Sequence, residues 1–180
     1  MRLKPGLVAL AACALGAPAA HAQDSASVVA VRELSRICID TAAAPDAIRA
    51  LAAAEGWQPT DPIALPVKNR IVIQGQKKGE KREYTRSAAW TVTRDGVALT
   101  IGLYDHPELP GMLGQSCELM AWDLDTAAVS AALAANGRLR EESSIPGLPL
   151  KDYRVANTAL ALHYVASDAG SKMIHAFTVQ

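Results

Sequence analysis

Ser116-Cys117-Glu118-Leu119-Met120-Ala121-Trp122-Asp123 is the stretch on which the fold of this chain turns. Side chains alternate along a strand, so Cys117, Leu119 and Ala121 point one way and Glu118, Met120 and Trp122 the other. Both faces carry apolar groups, which predicts a central strand rather than an edge. The stretch also holds one of the two cysteines expected in the mature chain, so it ties the sheet to whatever element carries the other.

That element is a helix. Val28, Val31, Leu34, Ile37 and Cys38 recur at helical spacing with charged residues between them, which predicts a helix from an N-cap at Ser27 to about Ile39. Pro45 suits the first turn of a second helix through Ile48, Leu51 and Ala52, with Gly56 as its left-handed stop. The pair forms a helical hairpin ending at Trp57, with Cys38 on the face that must be buried.

Outward from the quoted stretch, Asp95-Gly96 predicts a hairpin within Tyr84 to Tyr104. A two-residue loop sets Val92 against Leu99, Trp90 against Ile101 and Ala88 against Leu103, so the large apolar side chains share a face. Before it, the prolines between Gln58 and Pro66 mark a connector, Ile71-Val72-Ile73 an edge strand, and Gly75 to Glu83 a turn or loose loop. After it, Asp125 caps a third helix over Thr126 to Ala135, with Asn136-Gly137 as its stop. Arg138 to Leu150 reads as a loop. Two further strands run through Leu160 to Val165 and Met173 to Val179, and a turn at Ser167 to Ser171 would set His163 opposite His175.

The expected fold is therefore α+β: an antiparallel β-sheet with the N-terminal helical hairpin and one further helix packed on one face, stapled by a Cys38–Cys117 disulfide. On the loop-entropy model a bridge closing so long a loop contributes about 4 kcal/mol.

The N-terminus carries an address. Arg2 and Lys4 precede an apolar run that ends in Ala20-His21-Ala22, the pattern of a secretory signal over residues 1–22, leaving a single domain over 23–180. Leu10-Ala11-Ala12-Cys13 offers a rival, a lipoprotein box anchored at Cys13, but the apolar run continues to the better site after Ala22. Cleavage there lowers the basic count from 18 to 16 against 18 acidic residues, a slight negative charge that disfavours nucleic acid as a partner. No later segment has the apolar length of a membrane span. The expected location is periplasmic or secreted, where two cysteines pair.

No local motif specifies an activity, and no cofactor is expected. The serine in Gly114-Gln115-Ser116-Cys117-Glu118 lacks the second glycine of a nucleophile elbow. The reading that remains is a non-enzymatic binding, interaction or inhibitor-like envelope module that uses a sheet edge or the basic loop 75–86. Lys77, Lys78, Lys81 and Arg82 would then meet an envelope protein or an anionic envelope component. The alternative is a small hydrolase or metal-dependent enzyme built on the loop 105–116, with Asp105, His106 and Glu108, or on the His163/His175 pair as two ring-nitrogen ligands. Trp57, Trp90 and Trp122 are the large aromatic anchors, each expected to pack in the core or at its margin, with the lining of a ligand groove by one of them as the lesser alternative.

Overall fold

The computed structural model describes residues 25–63, 71–74, 81–107, 114–144, 150–169 and 172–180. The leader at 1–22, Cys13 included, lies outside these residues. The first helix, α1 (Ala26–Leu34), starts two residues earlier than its spacing suggested, because Ser25 and not Ser27 is the N-cap: the Ser25 side chain accepts from the Val28 N–H. Ser27 is instead buried, with its hydroxyl directed at the Asp125 carbonyl. A wider π-helical turn over Ser35–Ile39 continues α1 and carries Cys38 into the core. Pro45 opens α2 (Pro45–Ala54), and Gly56 at φ 64° turns the chain out of it.

Eight strands form one antiparallel sheet, in the order β1 (Gln58–Pro59), β4 (Ala88–Arg94), β5 (Val97–Asp105), β6 (Gln115–Trp122), β10 (Lys172–Val179), β9 (Ala161–Ala169), β8 (Leu150–Val155) and β7 (Leu139–Ser144). The quoted stretch is β6, and it sits between β5 and β10 as its two-sided apolar pattern requires. Across the Asp95-Gly96 turn the pairs are Val92 with Leu99, Trp90 with Ile101 and Ala88 with Leu103, as the parity argument demanded. α3 (Thr126–Ala135) is capped by Asp125, whose carboxylate accepts from the Ala128 N–H.

The helices cover one face. Cys38 is bonded to Cys117 with the Cα atoms 5.4 Å apart, so the Cys117, Leu119, Ala121 side of β6 faces the helices. Ile37, Ile48, Val129 and Leu133 join these residues, Ile101 and Phe177 in one core.

Four expectations are corrected. The proline connector contains β1, two residues paired with Trp90 and Thr91 of β4. The turn expected at 75–83 ends in a strand, β3 (Lys81–Tyr84), which pairs with β2 (Ile71–Gln74) as a separate two-stranded sheet. Ile71-Val72-Ile73 is thus a strand with a single partner, as expected of an edge, but in a sheet of its own. Of the loop expected over 138–150, residues 139–144 form the strand β7 and Leu150 begins β8, while 145–149 lie outside the described residues; Leu139-Arg140-Glu141-Glu142-Ser143-Ser144 is almost wholly exposed at the sheet edge, so it has no apolar alternation to betray it. Finally, β9 runs through the polar Ser167 and Asp168, and the register shifts: His163 opposes Thr178, and His175 opposes Ala166.

Candidate functional site

That register separates the two histidines. Opposite partners share a face, so His175 lies with Ala121 and Phe177's side of β10 under the helices, while His163 lies with Thr178 on the face without helices. They cannot hold one ion. His175 is fully buried, stacked on Tyr164 at 6.1 Å, with the Tyr164 hydroxyl 3.0 Å from its Nδ1. Its Nε2 makes no hydrogen bond of ordinary geometry, leaving the nearby Leu124 backbone as a weak partner. Burial lowers the His175 pKa, and the Leu124 backbone, Asp123 and Asp125 only partly oppose that.

The sign of the consequence is definite. A neutral buried histidine costs nothing above the unfolded value of 6.5, but below it the unfolded chain takes up a proton that the folded chain refuses. The urea midpoint should fall as pH drops below that value, and His175→Asn, which keeps an acceptor for Tyr164, should flatten the slope. Glu55 and Asp152, both held below their ordinary values of 4.5 and 3.8, contribute stability that is lost only at lower pH, so the two windows separate.

On the face without helices, successive cross-strand neighbours form a polar row: Gly102, Glu118, Thr178, His163, Asp152 and Ser143. At one end Arg86 lies over Gly102 and its Nε donates to Glu118 Oε2 at 2.5 Å, with both side chains almost fully buried. Only glycine permits this, because a Cβ at 102 would stand 2.7 Å from Arg86 Cδ and 2.8 Å from its Nε. The same guanidinium sits 5.9 Å above the Tyr104 ring. Burial, then the Glu118 charge, raises the Tyr104 pKa. At the other end Ser143 donates to Asp152 Oδ2 at 2.6 Å, and His163 Nδ1 meets Asp152 Oδ1 at 2.7 Å. These bonds, Ser143 first, hold the Asp152 carboxyl below its usual range. With the Gln180 amide donating to His163 Nε2 at 2.7 Å, the ring carries its proton on Nδ1. Serine, aspartate and histidine are all present, but Ser143 binds the aspartate and not the imidazole, so the order is not that of an activated nucleophile.

The loop candidates are drawn apart. Asp105 is paired with Arg49 of α2 at 2.7 Å, whereas His106 Nε2 meets the Thr85 carbonyl at 2.6 Å. Glu108 lies outside the described residues. Among the described residues no group of three His, Cys, Asp or Glu is placed to hold a metal ion. Of the basic residues, Lys77 and Lys78 also lie outside, while Lys81 and Arg82 oppose Gln74 and Ile73 on the β2–β3 ribbon. Arg86, part of the same basic tract, is neutralised by Glu118 and adds nothing to a charged surface.

The feature that no motif signalled is a cleft of about 480 Å³ beside β1 and the β4–β5 hairpin. Trp57, Trp122, Gln58, Thr91, Thr93 and Thr100 line it, together with Glu55 and Arg94. Trp57 is buried and packs edge-on against Trp90 at 6.2 Å, and its indole N–H donates to Glu55 at 3.0 Å. Glu55 also takes Arg36 at 2.5 Å and pairs with Arg94, and the Arg36 hydrogen bond leads in lowering its pKa. The charged wall of the cleft is thus ionised and already paired. No protein family, curated protein or solved structure matches the chain. Its chemistry has to be argued from this geometry alone.

Proposed function

We propose that the chain is exported, cleaved after Ala22, and works as a non-enzymatic binding module of the bacterial envelope, with the cleft at β1 and β4 as its binding site. The signal-like residues 1–22 and the buried Cys38–Cys117 bridge support export. The observation that carries the binding reading is the cleft itself: its volume of about 480 Å³ lies in the range of small-ligand sites. Its wall offers indoles and hydroxyls, while the carboxylate within reach, Glu55, is held ionised by Arg36 and Arg94 and is unsuited to proton transfer.

Mass spectrometry of protein recovered from its own host tests both halves. Under native conditions the wild type should carry a non-covalent adduct that is lost on filling the cleft with Thr91→Trp; after denaturation the chain should begin at Gln23 with the disulfide intact. A bare wild type, or an adduct that survives the filling substitution, would refute the site, and a retained leader would refute export.

The basic residues fit the same reading as an auxiliary contact, because Lys81 and Arg82 lie on a ribbon that, among the described residues, pairs with no strand of the main sheet. Replacing Lys77, Lys78, Lys81 and Arg82 with glutamine should weaken adhesion to anionic lipid vesicles at low salt while leaving the unfolding midpoint nearly unchanged. Undiminished adhesion would remove the ribbon from the account.

A further inference from the structure

Resting on the cleft as the binding site, we infer that its ligand is a neutral, polyhydroxylated molecule, an oligosaccharide segment rather than an ion or a peptide. Charge argues first. Glu55 and Arg94 are bonded to each other, so the pair presents no unbalanced charge for an ionic ligand to meet.

Hydrogen-bonding capacity argues second. Thr100 is 2% exposed and lines the cleft, so what remains open of it is open to the cleft. A hydroxyl in a cleft wall favours a ligand that returns the hydrogen bond it can make to water. Its cross-strand neighbour is Thr91, whose own neighbour is Gln58, while Thr93 stands in the adjacent row. Neighbours across strands are about 5 Å apart, which is the reach of hydroxyls on opposite sides of one sugar ring. Half-buried Trp122 borders the same surface, and a flat indole complements the C–H face that a sugar ring presents between its hydroxyls.

The backbone argues against a peptide. A peptide docking by strand addition needs an unpaired sheet edge. Here β1, itself only two residues long, pairs with Trp90 and Thr91 of β4, and the Thr60 N–H donates to the Ala89 carbonyl at 3.0 Å, so only the short run Val92 to Arg94 of the β4 edge is left for an added strand. Recognition is left to side chains, and those side chains are hydroxyls, an amide and indoles.

The test is a titration of the ¹⁵N-labelled mature chain, followed by NMR, with maltotriose, cellotriose and chitotriose, and with tetra-alanine as the peptide probe. At least one trisaccharide should shift the amides of Gln58, Thr91, Thr93 and Thr100 and the Trp122 indole signal. Thr100→Val, nearly isosteric, should weaken that binding about tenfold with the unfolding midpoint preserved. Silence of these signals toward all three sugars at about 10 mM would overturn the inference, as would unchanged affinity in Thr100→Val or a response to tetra-alanine alone. If the native adduct persists while the sugars fail, the ligand class is wrong and the binding site stands; if the adduct is absent as well, both readings fall.

Discussion

Replacing Glu118 with glutamine should lower the unfolding free energy by about 3–5 kcal/mol, because it strands the Arg86 guanidinium in the sheet without its counter-charge. The neutral amide is not an equivalent partner: the bond at 2.5 Å joins two ions whose side chains are 3% and 0% exposed, and water cannot replace the missing charge. Arg86→Met alone should cost a similar amount by stranding the carboxylate. The double variant Arg86→Met, Glu118→Leu should recover most of the loss, since an apolar pair of like volume removes both desolvation penalties and packs against Met120 and Ala89. Gly102→Ala probes the same contact from below, because its Cβ would push the guanidinium off the carboxylate. In the wild type it should be severely destabilising, and in the double variant much less so. Urea unfolding of the resulting cycle measures the coupling directly. Additive losses would show that the ion pair does not organise this face of the sheet.

The contrast between this pair and the helix face shows what sequence reasoning can reach. The hairpin register, the central place of β6 and the Cys38–Cys117 bridge were legible because each follows from local periodicity and a buried apolar face. Arg86 gave no such signal: it stood at the end of a basic tract and looked like one more solvated charge. Its partner is 32 residues away, and only the β4–β5–β6 register brings Ala89, Gly102 and Glu118 into line. β7 escaped for a different reason, since an exposed charged edge strand has the composition of a loop. The cleft was half legible. Trp57 and Trp122 were evident as anchors, but nothing local said that Thr100, from a third strand, would border the same space. The histidine pairing failed on a polar run, because Ser167 and Asp168 suit a turn as well as the exposed end of a strand, and an odd register shift moves His163 to the other face.

Removing the disulfide should have an effect of the same size. The bridge joins residues 79 apart in sequence, and on the loop-entropy account cutting it returns about 4 kcal/mol of conformational freedom to the unfolded chain. Against a total stability of about 5–15 kcal/mol for a domain of this kind, Cys38→Ala, Cys117→Ala should be marginally folded at best. The loss does not stop at entropy. Both cysteines are fully buried in the core that unites α2, α3 and β6, so removing the sulfurs also leaves space between Ile37, Leu103 and Leu119. The urea midpoint of the oxidised wild type should exceed that of the variant by a wide margin. Dithiothreitol should bring the wild type down to the variant only after unfolding exposes the bond, since no sulfur is accessible in the native state. Reduction under native conditions at the rate seen for the unfolded chain would mean that the π-helical turn carrying Cys38 opens locally. Slow reduction with a large drop in midpoint would instead make the bridge a condition of folding, and a chain with that requirement folds securely only where thiols are oxidised. That outcome would link the fold to the export proposed for it, because the same chain retained with its leader in a reducing compartment would be left close to its unfolding threshold.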